Sequence, residues 1–375
     1  MEQHRPETLP GIQALRGLAA ILVLIHHILE ESQPLFNGHI PAPLVLFGAS
    51  GVDLFFVISG FIMYHTNRGR FGRDAAASAF FVRRLIRIVP LYWLCTLAIV
   101  LLHFMGFYAS KVITVWSVAT SLLFIPDPGI VLGVGWTLNY EMYFYGLFAI
   151  WLLLGSRRGG VVGVLVSLLL VTGASQAVQP GPIQVFLANP IALEFGYGVV
   201  LGVMFEKNYL SPRIGLWALL AGVAGLVLAT RYGTSIGTMT LTSDIRFVAW
   251  GVPAAIVLMS VLATNVSGRR PAAVLVALGN ASYSLYLTHA LVMTAYARFL
   301  KTDMPTGAPR GALMLMPVVV SLVTALLTYR LIERPTTEWL KSWWQRGVTV
   351  RPLALPVRTA DGAGRPGDIQ AGDVT

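Results

Sequence analysis

The chain has 375 residues, 55% of them hydrophobic and 12% charged, with a mean hydropathy of +0.70. A single water-soluble core stops growing well before it absorbs that much apolar surface, which excludes an ordinary soluble domain and makes lipid the solvent. The formal charge of +10 then reports topology and contact with anionic membrane lipid, and nucleic acid is not an expected partner.

Crossing a hydrocarbon layer roughly 30 Å thick takes about 20 mainly apolar residues, and lipid admits only helices or closed barrels. The apolar runs are too long for barrel strands. The expected fold is all-α, a polytopic transmembrane helical bundle of about ten spans. In chain order the spans are residues 14–30, 44–65, 87–105, 137–155, 160–178, 190–205, 214–230, 247–264, 277–300 and 312–331. The first reads as a retained helix, because Glu30, Glu31 and Ser32 stand where a signal peptide would carry small residues for cleavage. The single Cys95 lies inside a span as a small apolar residue.

With the N-terminus cytoplasmic, alternation puts Arg68, Arg70, Arg73, Arg83, Arg84, Arg87, Arg157, Arg158, Lys207, Arg213, Arg269 and Arg270 on the inner side. Only six of the 27 Lys and Arg remain outside, namely Lys111, Arg231, Arg246, Arg298, Lys301 and Arg310, which satisfies the positive-inside rule. This requires the apolar segment from Trp116 to Ile125 to be interfacial or re-entrant, because a further span there would move Arg157 and Arg158 outside. Near the end, Trp339, Trp343 and Trp344 alternate with Lys341 and Arg346, as in a helix lying among lipid headgroups. From Arg351 the chain is rich in Gly, Pro and Asp and is expected to be disordered. The resulting division is a cytoplasmic segment 1–13, a transmembrane domain 14–335, and an amphipathic helix with a disordered cytoplasmic tail over 336–375. No internal repeat suggests the inverted halves of a transporter.

An ionisable side chain inside a span needs a partner, a wet cavity or a task. Arg16 and His27 are eleven residues apart in the first span, about 16 Å along the axis and close to three full turns, so they share a face. His26 points about 100° away. An imidazole in that position can take a proton from a hydroxyl and return it to a leaving group, although a histidine bonded to a neighbouring helix would explain it equally. The second span carries Asp53, with Arg16 or His27 as the expected partner, and Ser59 followed by Gly60, which permits close approach of a helix or ligand. Arg83, Arg84 and Arg87 at the inner end of the third span serve either as anchors or as a phosphate-binding cluster, and Pro90 is placed to kink the helix. The fourth span opens with Trp136, Asn139 and Glu141 near its outer end, followed by Tyr143 and Tyr145, and the ninth carries Tyr286 and His289. His27 and Glu31 alone, without a third ligand at a recognisable spacing, do not make a metal site, and no metal is expected.

Taken in order, these segments resemble the acyltransferase family 3 membrane O-acyltransferases, in particular the branch that acetylates bacterial exopolysaccharides. The run Ile12-Gln13-Ala14-Leu15-Arg16-Gly17-Leu18-Ala19-Ala20 with His27 resembles the family's opening motif of an arginine, ten residues and a histidine. Gly51 to Phe61, Arg83 to Pro90, Trp136 to Glu141, Ser282 to His289 and Glu333-Arg334-Pro335 resemble its later motifs. The resemblance implies a protein of the bacterial inner membrane with both termini cytoplasmic. It implies transfer of an acyl group, usually acetyl from acetyl-CoA, to a hydroxyl of a cell-surface glycan, with polysaccharide assembly machinery as a partner. It further implies that His27 acts as base or transient acyl carrier and Arg16 orients or stabilises charge, with Glu141 as a third catalytic candidate. Arg83, Arg84, Arg87 and Ser59 would hold acyl-CoA, while Asp53, Trp136, Asn139, Tyr286 and His289, joined by Glu141, would line the acceptor side. No hydrolase-like domain is expected after the last span, so transfer is completed either alone or with a separate protein. The competing class is a transporter or flippase whose buried charges line a substrate path.

Overall fold

A computed structural model describes residues 9–107, 111–235, 245–265, 271–302, 307 and 309–349, and among these every regular element is helical. The order is α1 (Pro10–Glu31), α2 (Ala42–Phe47), α3 (Gly51–Asn67), α4 (Ala76–Phe104), α5 (Val115–Leu122), α6 (Trp136–Leu154), α7 (Arg157–Ser175), α8 (Pro182–Ala188), α9 (Leu193–Glu206), α10 (Gly215–Ser235), α11 (Arg246–Ala249), α12 (Gly251–Asn265), α13 (Ala273–Asn280), α14 (Ser282–Thr302), α15 (Arg310–Thr328) and α16 (Arg334–Thr349). Arg269, Arg270 and the tail from 350 lie outside the described residues.

Among the described residues seven helical segments are long and apolar enough to cross a bilayer, and α8 with the segment Pro190–Glu206, bent by 48° at a break, makes an eighth if the pair is one span. Helices α6 and α14, at 19 and 21 residues, are also long enough to cross, but they carry Asn139, Glu141 and His289 into the interior. The architecture is an all-α polytopic bundle. Its outer surface is apolar: Leu94, Leu97 and Leu101 on α4 and Leu216, Trp217, Leu220 and Leu228 on α10 are all exposed, as lipid-facing side chains must be.

Two boundaries differ from the hydropathy reading. Helix α4 begins at Ala76, eleven residues before residue 87, because arginines lower hydropathy without disfavouring a helix. The segment around Trp116 folds as α5, eight residues and about 12 Å long. It cannot cross. Thr114 and Ser117 cap its start reciprocally, and Trp93 of α4 donates to the Leu122 carbonyl at 2.8 Å.

Chain reversals bring the charged loops together as the alternation of spans requires. At one face Tyr64 donates to Glu206 at 2.5 Å, and Arg157 pairs with the same carboxylate. At the opposite face Arg298 lies over Phe107 at 4.9 Å, Arg310 lies over Phe36 at 5.4 Å, and Ser32 bonds Tyr296 at 2.9 Å. The basic run of α4 is at the first face, and the C-terminal end of α1 is at the second.

Two features hold the centre. Helices α3 and α9 cross backbone to backbone at Gly60 and Gly198, where a methyl group would overlap the carbonyls of Phe195 and Val57 respectively. Beside this crossing Arg246 grips Asp53 through both carboxylate oxygens, at 3.0 and 2.7 Å, and donates to the Ala49 carbonyl at 3.2 Å. The guanidinium also stacks on Trp250 at 4.8 Å, and the fully buried Glu194 adjoins the pair. The partner of Asp53 is therefore Arg246, and not Arg16 or His27 as the sequence suggested. Only a cation at the same depth, near the second face, can reach it.

Gly60→Ala is expected to cost about 1–3 kcal/mol by overpacking, measured as earlier thermal aggregation in detergent; an unchanged transition would contradict the close crossing. Asp53→Asn, which strands half of a buried pair, is expected to cost about 3–5 kcal/mol. Replacing Asp53 and Arg246 together by leucine should recover much of that loss, and a double variant no better than the single one would show that the pair is not a unit.

Candidate active site

Helix α1 forms one wall of the site along its whole length, with Pro10 at the position where a missing N–H costs nothing. Arg16 faces a narrow cavity of about 80 Å³ near the first face. His27 faces a wider cavity of about 300 Å³ near the second. Arg16 and His27, which share a face of α1, thus open onto two adjoining cavities and not one pocket. Val52 and Tyr286 line both.

The arginine cavity is walled by Arg16, Ser59, Arg84, Arg87, Glu141 and Tyr145, with Phe55 and Phe56 supplying apolar surface. Arg84 and Arg87 lie on adjacent turns of α4, so both reach the cavity, whereas Arg83 points about 100° from Arg84 and is not in its wall. Arg84 is gripped between the rings of Phe80 and Tyr145, at 5.6 and 5.8 Å, and its Nε is buried without a hydrogen-bond partner among the described residues. Glu333, in the π-helical turn between α15 and α16, is buried near Arg16 and Arg87 and accepts from Ser284 at 2.5 Å. Among the described residues the carboxylates beside Arg16, Arg84 and Arg87 are Glu141 and Glu333, so the cavity holds surplus positive charge and an unused guanidinium donor. Such a site suits an anion. Near Pro90, which removes one helical donor from α4, Tyr283 donates to the Ile88 carbonyl at 2.7 Å and ties α14 to that helix.

Glu141 was expected on the acceptor side because it follows the outer start of the fourth span. In the folded chain it lies about 7 Å into α6 and faces the arginines. Trp136, at the start of α6, lines the histidine cavity. Asp53 and Asn139 line neither: Asp53 is fully enclosed by its ion pair, and Asn139 is buried with its Oδ1 accepting no hydrogen bond among the described residues.

In the wider cavity the rings of His27 and His289 lie 5.2 Å apart. The Nδ1 of His289 is 2.9 Å from the Leu285 carbonyl, so it carries the proton and leaves Nε2 as a buried acceptor with no hydrogen-bond partner among the described residues. His26 is fixed in the same way, with Nδ1 2.7 Å from the Val45 carbonyl. His27 lies 3.3 Å from the Glu30 carboxylate through its own Nδ1, which orients the ring and frees Nε2. Glu30 escaped the sequence reading, which weighed only Glu31; its spacing of three residues from His27 on a helix was the available signal. Arg246 also reaches this cavity with Asp53 bound behind it. Lys111, in the loop before α5, donates to the carbonyls of Ile130 and Val131, and burial lowers its pKa. His26, His27 and Glu30 bring possible metal-ligand atoms within 4.8 Å of one another, a third ligand that the sequence spacing did not reveal.

Comparison with known proteins gives the site its context. A family model described as an acyltransferase domain, of acyltransferase family 3, matches residues 9–330. The exopolysaccharide production protein ExoZ of Rhizobium meliloti (strain 1021) is 33% identical over 298 residues, 77% of this chain and 89% of that protein. The acyltransferase MdmB of Streptomyces mycarofaciens is 27% identical, covering 87% of this chain and 91% of its own length. The putative peptidoglycan O-acetyltransferase YrhL of Bacillus subtilis (strain 168) is 25% identical over 92% of this chain and 57% of its own length. No solved structure matches. A family match over nearly the whole bundle, together with a relative one-third identical across most of it, shows that the chain belongs to the acyltransferase family 3 membrane proteins.

Proposed function

We propose that the protein transfers an acyl group, acetyl in the simplest case, from acyl-CoA to a hydroxyl of a cell-surface polysaccharide in the bacterial inner membrane. The observation that carries this reading is a paired-histidine cavity sharing a wall with a cavity of surplus arginine charge. The names of ExoZ and YrhL favour an envelope glycan as acceptor and acetyl as the group moved.

In this reading both termini are cytoplasmic, as the positive-inside count favours. The phosphates of CoA bind Arg84 and Arg87 with Arg16 deeper in the cavity, and Arg83 contributes charge at the rim. Glu141 and Glu333 hold these guanidinium groups in place. The thioester arm extends along α1 toward His27, a distance of about 16 Å from Arg16 that an extended pantetheine arm covers. The glycan hydroxyl enters the wider cavity, with Trp136 and His289 at its walls. The Nε2 of His27 takes the hydroxyl proton as that oxygen attacks the thioester carbonyl. The carbon–sulfur bond breaks, and the imidazolium returns its proton to the departing sulfur, giving the ester and free CoA. Glu30 keeps the His27 ring in the productive tautomer. The exposed indoles of Trp339 and Trp343 on α16 support an interfacial position for that helix among the lipid headgroups.

Membranes containing the protein should incorporate label from acyl-CoA into polysaccharide. His27→Ala is expected to lower the rate about 10²- to 10⁴-fold with the protein still folded in the membrane, and full activity in that variant would remove the chemistry. Glu30→Gln should cost about 10- to 100-fold with little change in the KM for acyl-CoA. Chelation should leave the rate unchanged; loss restored by a divalent ion would reassign His26, His27 and Glu30 as metal ligands.

Cavities near opposite faces also suit a transporter. That reading predicts movement of a glycan precursor without any ester, and polysaccharide NMR from cells with and without the protein separates the two.

A further inference from the structure

The two cavities meet at a single ring. Tyr286 of α14 lines both, and Val52 of α3 is the other shared residue. The phenol is pinned at its far end: its hydroxyl donates to the Val134 carbonyl at 3.0 Å and lies 2.8 Å from Thr137 Oγ1. Those partners sit on the 3-10 turn Gly133–Gly135 and the first turn of α6. Phe55 meets the ring edge-on at 6.0 Å, and His289 lies 5.9 Å away on the other side. Arg84, Arg87 and Ser59 are thereby on one side of the ring, and His27 and His289 on the other.

We propose that Tyr286, together with Val52, is the filter that sets the size of the acyl group. The inference rests on the proposed function. If the phosphates of CoA remain on Arg84 and Arg87, only the thioester end passes the ring, so the acyl chain is the part of the donor that the ring measures. Tyr286 and Val52 are both buried, and a buried wall does not yield to an added methylene without strain. The anchored hydroxyl matters because it removes the ring's freedom to swing aside. A small acyl group passes between the ring and Val52, and a longer chain meets the ring face.

The test compares acetyl-, propionyl- and butyryl-CoA as donors to the same polysaccharide, with protein whose folded state is checked by gel filtration in detergent. Tyr286→Ala is expected to raise kcat/KM for butyryl relative to acetyl by about 10-fold or more, in the range one or two methylenes command in an apolar pocket. The KM for acetyl-CoA should hold, because the phosphate-binding arginines are untouched. Tyr286→Phe keeps the ring but frees it from Val134 and Thr137, and should shift the donor ratio in the same direction by less than Tyr286→Ala. Val52→Ala opens the same passage from α3 and should shift the ratio in the same direction; it carries the test if Tyr286→Ala does not fold. A donor ratio unchanged in the folded Tyr286 and Val52 variants, with all donors slowed alike, overturns the filter and leaves the proposed function standing. Wild-type protein that transfers no acyl group from any acyl-CoA overturns both.

Discussion

The geometry depends on one helix presenting two polar groups at two depths. Arg16 and His27 share a face of α1 and are three turns apart, so a single rigid wall serves a cavity near one face and another near the opposite face. Helix α1 runs unbroken from Pro10 to Glu31, so the two groups stay about 16 Å apart along its axis. Any chemistry that uses both must bring a long, flexible substrate to them. An acyl carrier with a charged head and a slender arm has the matching shape.

The remaining polar groups follow from the cost of burying charge. Asp53 is tolerated in the buried first turn of α3 because Arg246 satisfies both of its oxygens, and that pair fixes α11 and α12 against the helix that carries Ser59 and Val52. The Gly60 and Gly198 crossing holds the same helix against α9. The arginine cavity, by contrast, leaves positive charge without an equal count of carboxylates, and a guanidinium nitrogen without an acceptor among the described residues. The balanced charges hold the bundle together, and the unbalanced ones mark where an anion goes.

Much of the bundle is legible in the sequence because an apolar run of about 20 residues has few other uses, and because charge alternation constrains which loops share a face. The start of α4 was misplaced because hydropathy penalises arginines that lie on a helix. The shortness of α5 follows from the topological count, not from hydropathy. Arg16, His27, Arg84, Arg87 and Glu141 stood out as costly residues in spans, but which cavity each faces depends on helix rotation and packing that a single sequence does not encode. Asp53 and Arg246 are 193 residues apart, and no local pattern links them. The sign and depth of Arg246, at the outer end of the eighth span, made it a candidate that only the packing of α12 on α3 selects. Glu30 and the shared position of Tyr286 likewise become visible only when α1, α6 and α14 are assembled.

The central claim is that donor and acceptor approach the bundle from opposite faces and meet along α1. Sealed vesicles of known orientation, supplied with membrane-impermeant acyl-CoA on one side at a time, test it most directly. The account predicts ester formation only when acyl-CoA is on the face where α4 begins, with the acylated glycan on the other side. Transfer supported by acyl-CoA on the His27 face, and none from the arginine face, would contradict it.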